Sequence, residues 1–118
     1  MEKKPKGEVF EGRSSEMKKE TMWLSSEDIL GLGDVKVKIA RCHRYKDVKF
    51  EEGRSEPVVY ALEFEGGDKQ LVLNSTNRKK IVSMFGVDVK NWSGQTITLY
   101  VDTRVRMMGK IVNGIRIK

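Results

Sequence analysis

Scarcity sets the first limits on this chain of 118 residues. It has one cysteine, one histidine and two prolines, and no long apolar run. Cys42 has no partner for an internal disulfide, which fits a reducing compartment, and reads as a small packing group. His43 follows Cys42 directly, so on a strand the two side chains point to opposite faces and make no thiol–imidazole pair. One histidine and one cysteine fall short of the four nitrogen and sulfur ligands of a structural zinc site. Carboxylates gather in loop-like stretches (Glu51, Glu52, Glu56, Asp68), where solvated charge is the simplest account. No segment approaches the roughly 18 apolar residues that a membrane span needs, and the first twenty residues lack the apolar core of a secretory signal. These absences point to a soluble cytoplasmic protein that is not an enzyme and carries no cofactor or metal.

What the chain does have is positive charge in one place. The formal charge is +6. Residues 69–118 hold ten Lys and Arg against only Asp88 and Asp102, whereas residues 21–68 are slightly acidic. A half-domain so basic attracts polyanions, of which nucleic acid is the commonest inside a cell. The alternative is a basic surface that is merely solvated.

Residues 1–20 are dense in Lys, Glu and Ser, with only Val9, Phe10 and Met17 as larger apolar groups, and read as a mobile tail. Residues 21–118 read as a single domain. Trp23 and Leu24 anchor a short turn capped by Ser25 or Ser26. Val35, Val37 and Ile39 then alternate with Lys36, Lys38 and Ala40, a half-buried strand that continues to Tyr45 through a bulge. A polar loop, 46–56, leads by way of Pro57 to a second strand, 58–65, with Val58, Tyr60, Leu62 and Phe64 inward. A Gly66-Gly67-Asp68 turn leads to a third strand, 71–73. Asn74, Ser75 and Thr76 offer caps for a helix to about Phe85, with Ile81, Met84 and Phe85 on its apolar stripe and Gly86 as its left-handed stop. Ile97, Leu99 and Val101 mark a fourth strand and residues 104–108 a fifth. A Gly109-Lys110 turn returns residues 111–118, with Ile115 and Ile117 inward.

Three strands, one helix and two or three more strands predict a mainly β domain, curled into a small barrel of five or six strands. The order matches the oligonucleotide/oligosaccharide-binding (OB) barrel. Leu73-Asn74-Ser75-Thr76-Asn77, Phe85-Gly86, Trp92-Ser93-Gly94-Gln95, Ile97-Thr98-Leu99-Tyr100 and Gly114-Ile115-Arg116-Ile117 together resemble a family of small bacteriophage and prophage proteins. The similarity extends to Trp23-Leu24-Ser25 and Asp28, so it spans residues 22–118. It implies an OB-like fold, a bacterial host cytoplasm, and single-stranded DNA binding in phage replication or recombination.

The candidate contacts follow from charge and fold. Arg104, Arg106 and Lys110 lie on the last hairpin, near Arg116. Arg78, Lys79 and Lys80 sit near a helix start, where cations oppose the helix dipole and free amides suit a phosphate; a solvated polar face is the alternative. Lys46 and Lys49 belong to the first long loop, the other wall of an OB groove. Tyr45, Phe50 and Tyr100 are the aromatics available for base stacking, while Trp23 and Trp92 read as core. Outward Glu63 and Glu65 on the second strand would repel phosphate. They motivate an alternative, an accessory module that docks on a replication or recombination protein, or on further copies of itself.

Overall fold

A computed structural model describes residues 7–12, 21–50 and 53–118. The expected tail falls largely outside this set, and Val9 and Phe10 within it are exposed. Glu51 and Glu52 of the first loop also lie outside it. Among the described residues no helix is long and apolar enough to cross a membrane.

The alternating valines and isoleucines produce five strands: β1 (Val35–Lys49), β2 (Ser55–Phe64), β3 (Leu71–Val72), β4 (Thr96–Met107) and β5 (Lys110–Ile117). Helix α1 (Ser26–Ile29) precedes them, and α2 (Ser75–Phe85) joins β3 to β4. At fifteen residues, β1 spans about 50 Å, long enough to serve two neighbours in turn. Its first part, Val35–Lys38, pairs with β4. The register shifts between Ile39 and Arg41, and from there β1 pairs with β2 as far as Lys49. The expected bulge therefore marks the point where β1 changes partners. Around it, Ile39 exchanges backbone hydrogen bonds with Gly94 and Gln95, and the Ser93 hydroxyl donates to the Ala40 carbonyl at 2.6 Å.

The barrel expectation fails. The strands lie in one open antiparallel sheet in the order β3-β2-β1-β4-β5, with β3 and β5 as its unjoined edges. Closure requires those edges to pair, and β3 has only two residues before the chain enters α2. The helix fills the gap instead. It packs against β5, where the Asn77 side-chain amide donates to the Ile115 carbonyl at 3.0 Å, occupying an acceptor that a closing strand would need. On the other edge, Leu24 donates to the Gln70 carbonyl and Gln70 to the Met22 carbonyl, so Trp23 forms a parallel bridge beside β3. The domain is therefore neither an OB fold nor a β-barrel.

The core lies between α2 and one face of the sheet. Ile39, Leu62, Phe64, Leu71, Ile97, Leu99, Ile115 and Ile117 point into it, joined by Ile29, Ile81 and Trp92. Each such side chain contributes about 1.5–3 kcal/mol on burial. Helix α2 has the expected bounds, and Asn74 caps it by accepting the Asn77 amide at 2.9 Å. Its buried side carries Asn77 and Ile81, whereas Met84 is exposed. Gly86 ends it at φ 90° and ψ 178°, an extended glycine conformation rather than the left-handed helical one. Trp92 is buried, as expected, and its ring N–H donates to the Gly86 carbonyl.

Three more expectations need correction. The first loop is shorter than 46–56, because β1 runs to Lys49 and β2 begins at Ser55. The predicted fourth and fifth strands are one strand, β4, bent by a register shift between Asp102 and Val105. On β2, Leu62 and Phe64 point inward as predicted, but Val58 and Tyr60 are exposed while Val59 and Ala61 are buried. Val59 lies opposite Tyr45 in the β1–β2 register, with Trp23 against that tyrosine, so the second face of this hairpin is covered as well.

Candidate nucleic-acid interface

The chain presents two hairpins that behave differently. In the β1–β2 hairpin, cross-strand register brings opposite charges together. Glu63 meets Arg41 at 3.5 Å and the ring of His43 at 2.7 Å. Glu65 meets Lys38 at 3.7 Å, and Glu56 meets Arg54 at 3.9 Å. The two carboxylates expected to repel phosphate are therefore each matched by a cation on β1. Exposed pairs of this kind contribute only about 0–1 kcal/mol to stability, but they remove the local negative field. Cys42 lies opposite Leu62 on the core side, while His43 lies opposite Ala61 on the other face, so the thiol and imidazole are separated as expected. Burial pushes the Cys42 thiol up from its ordinary pKa, which disfavours the thiolate.

Three aromatic rings gather near the end of this hairpin. Trp23 stands edge-on to Tyr45, with centroids 5.4 Å apart, and tilted to Phe50 at 5.8 Å. The Tyr45 hydroxyl donates to Gln70 at 2.8 Å, and the Arg54 guanidinium lies 4.4 Å from the Phe50 ring centre. All three rings are half-buried. Trp23 is thus the centre of an aromatic cluster at the sheet edge rather than a core residue.

The β4–β5 hairpin is built otherwise. Arg104, Arg106 and Lys110 are exposed, and none forms an ion pair among the described residues. Its carboxylate, Asp102, turns inward on the backbone and accepts the Arg104 amide at 2.8 Å. The two-residue connection between Met107 and Lys110 has Met108 at φ 50° and Gly109 at φ 78°, the double positive φ that a tight hairpin turn requires. Glycine or asparagine suits the first of these positions; a methionine there costs about 1–2 kcal/mol. Below the turn, a Cβ on Gly114 would stand 2.9 Å from the Val105 Cγ2, so the bent β4 crosses closely over β5 at that point.

The two hairpins share a trough. A cavity of about 350 Å³ is lined by Trp23, Phe50 and Arg54 on one side and by Met107 and Asn113 of the β4–β5 hairpin on the other. Phe50 and Arg54 also line a second hollow of about 250 Å³ that reaches Tyr60 and Asn74. Tyr60 is 49% exposed and lies opposite Arg44, next to the Lys46–Val58 pair. Sequence patterning placed Tyr60 inward because it continues the alternation of Leu62 and Phe64. The signal that could have exposed it is position, two residues beyond Leu62 and toward the hairpin end.

The remaining predicted contacts lie elsewhere. Lys46 and Lys49 are exposed near the end of β1. Tyr100 and Arg116 are cross-strand partners on the face of β4–β5 away from the core, and the Lys118 ammonium lies 5.9 Å from the Tyr100 ring while binding Asp34 at 2.6 Å. Arg78, Lys79 and Lys80 are exposed on α2, and neither hollow reaches them. At the opposite end of the sheet, a cavity of about 410 Å³ lined by Leu24, Ile29, Val35, Val37, Phe64 and Leu99 is rimmed by Asp28 and Lys69, paired at 2.8 Å. Burial raises the Asp28 carboxyl, but the Lys69 hydrogen bond, the Ser25 amide and the Lys69 charge together hold it below its ordinary pKa. No group of three or more histidine, cysteine or carboxylate side chains suited to a metal ion occurs among the described residues. Comparison of the chain with protein-family models, with curated proteins and with solved structures finds no match in any of the three.

Proposed function

We propose that this chain is a non-catalytic binder of single-stranded nucleic acid, held in the trough between its two hairpins. The observation that carries the reading is a trough lined by Trp23 and Phe50 on one side and by Met107 and Asn113 of the cationic arm on the other. Beyond that lining, the β4–β5 arm carries Arg104, Arg106 and Lys110, none of them ion-paired among the described residues, and Tyr45 packs against Trp23. A single strand offers phosphates for the cations and flat base faces for the rings, each stacked base adding about 1–3 kcal/mol. A duplex keeps its bases stacked on one another and so has less use for the aromatic wall. The working contacts are Arg104, Arg106 and Lys110 on phosphate, with Phe50, Tyr45 and Tyr60 beside bases. Arg116 and Tyr100, on the face of β4–β5 away from the core, and the Arg78–Lys80 group on α2 contribute field rather than contact.

A protein-docking module was motivated by two outward carboxylates on β2. Both are ion-paired to β1, so that motive is weaker. A labelled single-stranded oligonucleotide titrated at rising salt tests the main reading. The expected result is a log–log fall in affinity with a slope of about −2 or steeper, from three or more phosphate contacts at about −0.7 each. Salt-independent binding, or a preference for duplex, would refute it.

A further inference from the structure

The end of the β4–β5 arm is apolar as well as cationic. Met108 is 96% exposed, Ile111 68% and Met107 56%. These side chains are interleaved with charge: Lys110 stands directly opposite Met107, and Arg106 opposite Ile111. Met108 leads from the turn, and behind it Met107 and Ile111 share their rungs with Lys110 and Arg106. Alternating apolar and cationic groups match the alternation of base and phosphate along a nucleic-acid strand. Met107 also lines the trough itself, so a strand lying there is led to the tip. Finally, the first turn position is held by a methionine in a backbone conformation that glycine or asparagine adopts with less strain.

We propose that the tip is a wedge, with Met108 inserting between neighbouring bases of the bound strand while Arg106 and Lys110 hold the flanking phosphates. Apolar side chains such as methionine and isoleucine unstack bases in this way in other nucleic-acid complexes. The inference rests on the nucleic-acid reading above and adds to it a specific act on the ligand, the opening of a base step. The strained turn has a use on this account, since it projects an unbranched, adaptable side chain from the far end of a two-stranded arm.

The test uses the full chain and a set of short single-stranded oligonucleotides, each with 2-aminopurine at one position. Binding is expected to raise the fluorescence at one or a few positions by about two-fold or more, as a base leaves its stack. In M108G and M108N the turn keeps its shape with less strain, so thermal stability should hold or rise. At saturating protein both variants should lose the fluorescence rise while keeping the salt slope of the parent, because the phosphate contacts that set that slope are untouched. A rise that persists in both variants would overturn the wedge and leave the binding reading standing. Failure of the parent chain to bind any oligonucleotide would remove both. Binding of the parent to phosphatidylserine vesicles, lost in M108G while oligonucleotides are ignored, would show a lipid-seeking tip and also refute the wedge.

Discussion

The β1–β2 hairpin and the β4–β5 arm are both rich in cations, but they hold them differently. On β1–β2, Lys38, Arg41, His43 and Arg54 face carboxylates across or along the strands, while Lys36, Arg44, Lys46 and Lys49 form no ion pair among the described residues. On β4–β5, Arg104, Arg106 and Lys110 face none among the described residues. Net charge summed over the sequence treats these cations alike. Register separates them, because a charge already matched at 3–4 Å contributes little field at a distance. The first hairpin matches part of its charge internally and the tip-ward cations of the arm match none, which makes the arm the more outward-acting of the two.

The strongest challenge to this division is at the residue where it begins. Ile39 is fully buried beside the bulge at which β1 leaves β4 for β2. Ile39→Ala should lower stability by about 2–5 kcal/mol, as truncations in packed cores do. A single denaturant transition, shifted as a whole, is expected if one core serves both hairpins. Two separate transitions in urea would show that the hairpins are independent units and would change the comparison.

Charge removal probes the contrast itself. Replacing Arg104, Arg106 and Lys110 together by Ala should weaken oligonucleotide binding on the order of 100-fold at low salt and flatten the salt slope by about 2. The matched control is Lys38→Ala with Arg41→Ala, which removes two cations from ion pairs on β1. That control should change affinity by only about two- to three-fold, since Lys38 and Arg41 are already matched by Glu65 and Glu63 and the field that remains is screened within a short range. Equal losses in the two variants, measured by fluorescence anisotropy, would abolish the distinction.

The smallest effect concerns how the two halves are tied. Asp28 lies on α1, which packs against β4 and β5, while its partner Lys69 belongs to the approach to β3. The Asp28 carboxylate also accepts the Ser25 amide at 2.8 Å and the Ser25 hydroxyl at 3.1 Å. Its pKa is lower folded than unfolded, so its contribution is complete above about pH 4, the unfolded value, and fades as the pH falls through the folded value. Asp28→Asn should therefore cost about 1 kcal/mol at neutral pH, as loss of a helix cap does. The gap between variant and parent should close in strong acid, read by thermal melts from pH 7 to pH 2.

Local chemistry made much of this fold legible in the sequence. The bounds of α2 follow from Asn74 at one end and Gly86 at the other, and the alternation of Val35, Val37 and Ile39 shows which face of β1 is buried. The bulge was legible where that alternation breaks. Closure of the sheet was not, because it depends on whether β3 and β5 meet, and no property of either strand alone decides that. Nor was the burial of Val59 and Ala61, since Trp23 and its neighbours arrive from more than thirty residues upstream to cover that face. Met84 was assigned to the buried stripe because helical spacing admits it, although the packed side of α2 centres on Asn77 and Ile81. At the site, the arm's cations were visible as a cluster, but their lack of partners was a matter of register. The polarity of Tyr60 was read wrongly for the same reason as that of Val59.

An unclosed sheet ordinarily offers each rim as a template to which a neighbouring chain can add a strand. Here the backbone of residues 22–24 bonds to Gln70 at the start of one rim, and the other is interrupted by the side-chain amide of Asn77. Two very short pieces of chain thus blunt part of each rim against self-templated growth, where a closed ring of strands would have left no rim at all. The protection is economical but thin, since on the β5 side it comes down to one asparagine.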